Sequence, residues 1–256
     1  MRTVAIVQAR TGSTRLPGKV LLPLLGAPLV SRVVARTRRA ASVDEVAVAT
    51  TTLRSDDPIV ELAAREGWPV TRGSETDLLD RYLQAARAHE ADRIVRITSD
   101  CPLIDPDLID DVVRALDRQK ADYGSNTLEP RTYPRGLDVE VVTRAALEAA
   151  WQEDLDPASR EHATPFVRLH PERFRPVRVH GSDDRSEHRW TVDTPEDYEL
   201  VRRIYEALGR DDFTWLEALD VVTANPSWGT GNRHVPQKAL LLGGSASAPA
   251  PDEGAR

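Results

Sequence analysis

An apolar run, Val4-Ala5-Ile6-Val7, leads directly into Gln8-Ala9-Arg10-Thr11-Gly12-Ser13-Thr14-Arg15-Leu16-Pro17-Gly18-Lys19. Arg10, Arg15 and Lys19 bring positive charge, the glycines let backbone N–H groups approach an oxygen closely, and the hydroxyls add further donors. Such a loop at the end of a strand suits a polyphosphate, whose oxygens need both neutralisation and a cradle of N–H groups. A solvated basic loop is the ordinary alternative. Cations interleaved with glycines just after a buried strand favour phosphate.

Two commoner phosphate loops do not match. A P-loop has four residues between its glycines and a Ser or Thr after its Lys, whereas Gly12 and Gly18 enclose five and Val20 follows Lys19. A dinucleotide fingerprint needs three glycines at the strand-to-helix turn, and only Gly12 and Gly18 stand here.

Phosphate chemistry also needs carboxylates. Asp100 and Asp193 are the candidate Mg²⁺ ligands, because hard oxygen donors suit this ion and it commonly takes one or two carboxylates beside substrate phosphates. Asp193 precedes Thr194-Pro195-Glu196-Asp197, which has the pattern of an N-cap, a proline at the first helical position and an acid at the third. That cap accounts for Thr194 and Asp197 and leaves Asp193 to another role. Cys101, the lone cysteine, has no histidine partner at a telling spacing and reads as a small buried side chain. The histidines, at 89, 162, 170, 180, 188 and 234, show no zinc-like spacing.

The elements that must position these groups alternate. Strand-like runs at Val4 to Val7, Glu45 to Ala49 and Arg93 to Ile97 are interleaved with helix-like segments at Pro28 to Arg39, Pro58 to Glu66, Asp77 to His89 and Pro106 to Arg118. This predicts an α/β fold, a mostly parallel sheet with helices on both faces, and ligands at the carboxyl ends of the strands. The Arg10–Lys19 loop, Asp100 and Asp193 each follow a strand and can meet in one crevice. From 123 to 180 the pattern loosens, with strands expected at Asp138 to Val142 and Phe174 to Val179 and helices near Arg144 to Glu153 and Ser159 to Leu169. This segment is expected to be a small inserted β/α arm that covers an acceptor or builds a dimer contact. Residues 1–236 then form one domain, and the Gly, Ser, Ala and Pro of 237–256 predict a disordered tail.

Composition narrows the partners. A net charge of −7 argues against a general nucleic-acid binder, since backbone binding rests on a basic surface. No apolar run approaches the roughly 20 residues of a membrane span, and a single cysteine fits a reducing compartment, so a cytoplasmic protein is expected. Lysine occurs only at 19, 120 and 238, a bias of composition that makes Lys19 stand out.

Five segments in order carry a family resemblance: the loop through Lys19; Arg72-Gly73-Ser74-Glu75-x-Asp77-x-Leu79-Asp80-Arg81-Tyr82; Thr98-Ser99-Asp100-Cys101-Pro102-Leu103-Ile104; Tyr133-Pro134-Arg135-Gly136-Leu137-Asp138-Val139-Glu140; and Arg189-Trp190-Thr191-Val192-Asp193-Thr194-Pro195-Glu196-Asp197. They resemble the cytidylyltransferases of the CMP-sugar synthetase group, of the CMP-Kdo and CMP-acylneuraminate types, and the spore-coat polysaccharide cytidylyltransferase-like proteins. The resemblance implies a Rossmann-like, GT-A-like nucleotidyltransferase fold and a homodimer. It also implies Mg²⁺-dependent transfer from CTP to a small acidic acceptor, a sugar acid or a phosphate or phosphonate, giving a CMP conjugate and pyrophosphate. Arg15 and Lys19 would hold the β- and γ-phosphates and, with Asp100 and Asp193 on the metal, form the catalytic set. Ala9, Arg10, Gly12 and Ser13 would complete the nucleotide loop. Arg72, Ser74 and Asp77 match the segment that reads the pyrimidine, although Asp77 fits an N-cap equally well. Asn126, Arg135, Asp138, Glu140, Glu161, His162 and Arg189 fall where the family holds its acceptor. Cys101 departs from the CMP-Kdo type, which has an acidic residue there.

Two other functions use some of the same parts. A sugar-nucleotide glycosyltransferase would need a metal-binding acid after a strand but has less use for the Arg10–Lys19 loop. A catalytically silent nucleotide-binding protein would be favoured if the metal acids were missing.

Overall fold

The computed structural model describes residues 1–232 and Val235; the tail expected at 237–256 lies outside the described residues. Its sheet is built on β1 (Thr3–Gln8), whose alternating side chains enter two different layers. Val4 and Ile6 pack on one side with Ala47, Ala49 and Ile94, and Ala5 and Val7 on the other with Val48, Val95 and Ile97. A strand buried on both faces has no polar side to show, which is why it reads as an unbroken apolar run.

The further strands are β2 (Pro23–Leu24), β3 (Ala27–Pro28), β4 (Glu45–Thr51), β5 (Val70–Gly73), β6 (Arg93–Thr98), β7 (Tyr123–Ser125), β8 (Glu140–Thr143) and β9 (Pro176–Arg178). The main sheet has the order β5-β4-β1-β6-β8-β7-β9, and β2 and β3 form a separate ribbon. β5, β4, β1 and β6 are parallel, β8 is antiparallel to both β6 and β7, and β9 is parallel to β7. From β1 the chain moves outward to β4 and β5, then crosses back to β6 on the other side. The order therefore reverses between β1 and β6, the place where open α/β sheets hold ligands. Segment 123–180 lays β7, β8 and β9 on the far edge of this same sheet.

Two helical layers cover it. α1 (Leu29–Thr37), α2 (Asp57–Glu66), α4 (Pro106–Gln119), α8 (Pro195–Leu208) and α9 (Trp215–Ala224) contribute to one core; α3 (Leu78–Ala88), α5 (Arg144–Glu153) and α7 (Pro165–Leu169) contribute to the other. In α4 the residues at helical spacing, Leu108, Ile109, Val112, Val113 and Leu116, are all buried, and Asp105 caps its start by accepting from Asp107 N at 2.9 Å. The helix expected over Ser159 to Leu169 is instead two short ones, α6 (Pro157–Arg160) and α7. Ala163 takes a positive φ of 68° and Pro165 opens the second helix, so the run cannot continue. No helix among the described residues is long and apolar enough to cross a membrane.

One glycine locks this frame to the site. Gly136 has a φ of +103°, and a Cβ there would lie 2.5 Å from both Thr191 N and Trp190 C. Arg135 N donates to His188 O at 2.9 Å and Trp190 N to Arg135 O at 2.6 Å, so the 131–138 loop is laced to the segment leading into Asp193. Gly136→Ala should therefore cost about 2 kcal/mol or more, from clash and backbone strain together. Thermal unfolding checks this; a loss below about 0.5 kcal/mol, the usual range of an inconsequential surface change, would mean the lacing yields freely.

Candidate active site

After β1 the loop is anchored before it turns inward. Thr11 donates to Asp56 Oδ1 from its N–H and from its hydroxyl, both at 2.7 Å. Burial alone would raise the Asp56 pKa, but these donors and the Thr51 hydroxyl hold its carboxyl below the ordinary carboxylate value. Gly18 N donates back to Thr11 O at 3.0 Å, and Gly18 takes a left-handed φ of 69°. That turn starts a short 3₁₀ segment, Lys19–Leu21, with Val20 buried, and directs Lys19 into the protein.

Lys19 is only 8% exposed, and its ammonium donates to Asp100 Oδ2 at 2.7 Å, Asp193 Oδ1 at 2.8 Å and Val192 O at 2.8 Å. Asp100 is brought there by β6, since Ser99 N continues the β1 pairing to Gln8 O at 3.1 Å, and Val192 N donates to Asp100 O at 2.8 Å. Burial opposes charge on both partners. The two aspartates nevertheless raise the Lys19 pKa, and Lys19 holds the Asp100 carboxyl below its ordinary value.

Asp193 carries more positive neighbours still. Its Oδ2 meets Arg15 Nη2 at 2.9 Å and accepts from Arg189 Nη2 at 2.8 Å. Behind it the fully buried Asp197 accepts from Arg189 Nε at 2.9 Å, from Asn232 Nδ2 at 3.0 Å and from the N–H groups of Asp193 and Thr194 at 3.0 and 3.1 Å. Thr194 and Asp197 form the capping box that opens α8, as the sequence pattern predicts. Asp197 also orients Arg189, and through it Asp193.

Asp100 and Asp193 thus both reach one cationic position, now held by the Lys19 ammonium. Hard carboxylate oxygens around a single cation are the donor set Mg²⁺ accepts when water and phosphate complete its shell, so the residues fit the expected metal.

An open cleft of about 300 Å³ lies over these groups. It gathers Ala9, Arg10, Gly12, Ser13, Arg15, Lys19, Asp100, Asp193, Glu161 and His162 from the sequence candidates. It adds Gln8, Thr14, Glu75, Leu78, Arg81, Thr98 and Ser99, which residue-type reasoning did not single out. Glu75 and Arg81 belong to the recognised 72–82 segment. Thr98 and Ser99 belong to the recognised 98–104 segment, and Thr14 to the loop through Lys19.

The remaining candidates lie outside the cleft lining. Arg72 donates to Thr51 O and Leu53 O at 2.8 Å and pairs with Asp57 at 2.8 Å. Ser74 accepts from Asp77 N at 3.0 Å, and Asp77 caps α3 by accepting from Asp80 N at 2.9 Å while Arg160 holds it at 2.7 Å. Asn126, 1% exposed, ties Leu137 O and Val139 N at 2.7 and 2.9 Å. Arg135 contributes the backbone pairing to 188–190, and Asp138 is held by Arg131. Glu140 meets Arg96 at 2.5 Å, Tyr123 at 2.8 Å and the Thr164 hydroxyl; burial opposes its charge, yet Arg96 keeps it below the ordinary glutamate value. These side chains, with Arg189, brace the walls. Cys101 is buried, and burial pushes its thiol well above the ordinary value, which suits a packing role and not a nucleophile.

A family model described as cytidylyltransferase matches residues 4–219. The chain is 35% identical over 238 residues to the spore coat polysaccharide biosynthesis protein SpsF of Bacillus subtilis, covering 88% of this chain and 95% of that protein. It is 32% identical over 245 residues to a 3-deoxy-manno-octulosonate cytidylyltransferase of Anaeromyxobacter dehalogenans, covering 81% and 99%. Among solved structures, a cytidylyltransferase from Leptospira borgpetersenii superposes with a TM-score of 0.85 at 35% identity, over 90% of this chain and 97% of that one.

Proposed function

This chain belongs to the cytidylyltransferase family, and we propose that it transfers a cytidylyl group from CTP to an oxygen of a small acidic acceptor, releasing pyrophosphate. The observation that carries this reading is the meeting of Arg15 and Lys19 after β1, Asp100 after β6 and Asp193 just before α8 at the floor of one cleft. The acceptor oxygen attacks the α-phosphorus in line as the bond to pyrophosphate breaks. Little covalent work falls to the protein, so its contribution is position and charge.

We assign the β- and γ-phosphates to Arg15 and Lys19, whose charge would stabilise the negative charge that gathers on the leaving group. Gly12 and Ser13 offer backbone and hydroxyl donors along the same path. Glu161 and His162, on the loop between α6 and α7, line the cleft and are the contacts we assign to the acceptor. Asp100 and Asp193 would hold Mg²⁺, which when bound supplies Lewis-acid polarisation of phosphate oxygens. A sugar acid and a phosphate or phosphonate both satisfy this arrangement. A homodimer and a cytoplasmic setting belong to the same proposal, and sedimentation and cell fractionation check them.

The test is pyrophosphate release across CTP, UTP, ATP and GTP against a panel of sugar acids, phosphates and phosphonates, with and without Mg²⁺. Turnover is expected with CTP and an acidic acceptor, falling at least 10-fold when UTP replaces CTP, a ratio within reach of pocket discrimination. Turnover that prefers a purine nucleotide, or none with any acidic acceptor, would overturn the reading.

A further inference from the structure

The last of the recognised segments ends at Asp197, yet the chain returns to that residue 35 positions later. After α9, Asn225 Nδ2 donates to Val221 O at 2.9 Å and Asn225 O accepts from Trp228 N at 2.9 Å, which closes the helix and starts a 3₁₀ turn, Trp228–Thr230. Trp228 packs on the core with the Arg203 guanidinium of α8 over its ring at 5.9 Å, so the turn lies against that helix. Gly231 follows, and Asn232 enters the interior, 2% exposed.

Both hydrogens of the Asn232 amide find acceptors. Nδ2 donates to Arg189 O at 2.9 Å and to Asp197 Oδ1 at 3.0 Å, so one side chain holds the backbone of Arg189 together with the carboxylate that faces the Arg189 guanidinium. That guanidinium is shared. Its Nε donates to Asp197 Oδ1 at 2.9 Å, and its Nη2 to Asp197 Oδ2 at 3.1 Å and to Asp193 Oδ2 at 2.8 Å. Asp193 is left with Oδ1 toward the position it shares with Asp100 Oδ2, where Lys19 Nζ lies at 2.8 and 2.7 Å. Arg189 therefore sets which Asp193 oxygen faces the cation, and Asn232 and Asp197 set Arg189. All four residues are buried, where hydrogen bonds are strong and a lost partner is costly.

We propose that Asn232 is a positioning residue for the metal site: by clamping Arg189 and Asp197 it fixes the Asp193 carboxylate with Oδ1 toward the metal, so the segment after α9 sets how tightly the site takes a divalent cation. This rests on the reading of Asp193 as a metal ligand. Removing a group that orients a ligating side chain typically weakens metal binding by about 10- to 100-fold, although the group never touches the metal. An aspartate at 232 would keep the shape but set an oxygen against Arg189 O and a second negative charge beside Asp197, drawing Arg189 away from Asp193.

The experiment compares wild type, Asn232→Ala, Asn232→Asp and Asp193→Asn in two measurements, beside thermal melts. One is Mn²⁺ binding with CTP present and acceptor absent, read by electron paramagnetic resonance; Mn²⁺ stands in for Mg²⁺ because both accept carboxylate and water oxygens. The other is the Mg²⁺ dependence of pyrophosphate release. Asn232→Ala should bind Mn²⁺ roughly 10-fold more weakly and need about 10-fold more Mg²⁺ for half its maximal rate, while that maximum stays within about threefold of wild type. A merely structural role would lower the melting temperature and leave the Mg²⁺ requirement where it was. Asn232→Asp should bind Mn²⁺ no better than Asn232→Ala, despite its conserved shape. In wild type with CTP, the Asn232 side-chain amide resonances should move on adding Mg²⁺, a readout that holds even if neither variant folds. Wild-type Mn²⁺ affinity in a folded Asn232→Ala, or amide resonances that ignore Mg²⁺, would overturn the role. Wild-type Mn²⁺ affinity in Asp193→Asn would instead sink the metal reading on which it rests.

Discussion

Asp100→Asn should lower cytidylyl transfer by about 10²- to 10³-fold while leaving the protein folded. The substitution keeps the shape of the side chain and removes one of the two negative charges that would hold the metal, and loss of a single preorganised electrostatic partner commonly costs 10²- to 10³-fold. Lys19 keeps Asp193 and Val192 O as acceptors, so the floor of the cleft stays closed. Asp193→Asn should be as damaging to turnover and more damaging to stability, because Asp193 meets Arg15, Lys19 and Arg189 together. Initial-rate assays over a Mg²⁺ series, beside thermal melts, separate these effects. Near-normal rates at low Mg²⁺ in either variant would remove that residue from the metal site.

The stability difference has a pH signature. The Asp100 carboxyl lies below its ordinary value, so its contribution is present above the unfolded pKa of about 3.9 and is lost as pH falls through the folded value. Lys19 lies above its ordinary value, so its contribution is present below about 10.4 and is lost as pH rises through the folded value. The gap between wild type and Asp100→Asn should therefore persist across neutral pH and close in acid.

The parallel half of the fold was legible because its signals are local. β1 and the buried face of α4 announce themselves by apolar runs and helical spacing, and the cap at Thr194 by adjacent residue types. β5 and β7 were not, since Val-Thr-Arg-Gly and Tyr-Gly-Ser become strands only through pairing with β4, β8 and β9. The site divides along the same line. Arg15, Lys19 and Asp100 follow β1 and β6, whose ends could be read; Asp193 joins them from a segment that was expected to be a strand over Trp190 to Val192 but makes only the isolated Arg135–Arg189 bridge, and its place is readable instead from the helix start at Thr194. Asn126 and Glu140 have the residue types of a binding site, but whether a polar side chain faces ligand or braces a wall depends on long-range partners such as Leu137 O and Arg96.

Lys19→Ala and Arg15→Ala should weaken CTP binding by about 1.5 to 3 kcal/mol each, roughly 10- to 150-fold, and leave CMP binding nearly unchanged. Their proposed partners are the phosphates that CMP lacks. Lys19 has a second task in the free protein, where it neutralises Asp100 and Asp193. Its removal leaves two carboxylates facing each other, which repels a triphosphate further and destabilises the fold; breaking a buried pair costs about 3 to 5 kcal/mol, and the slight exposure of this one places it toward the lower figure. Arg15, at 37% side-chain exposure and paired with an Asp193 that keeps Lys19 and Arg189, should cost little stability. The two variants thus separate phosphate binding from neutralisation: both lose CTP affinity, but only Lys19→Ala should lower the melting temperature by several degrees. Calorimetry with CTP and CMP beside thermal melts reads this directly. Equal losses for CTP and CMP would move these cations away from the outer phosphates, and an unchanged melt in Lys19→Ala would show that the carboxylate pair does not depend on its ammonium.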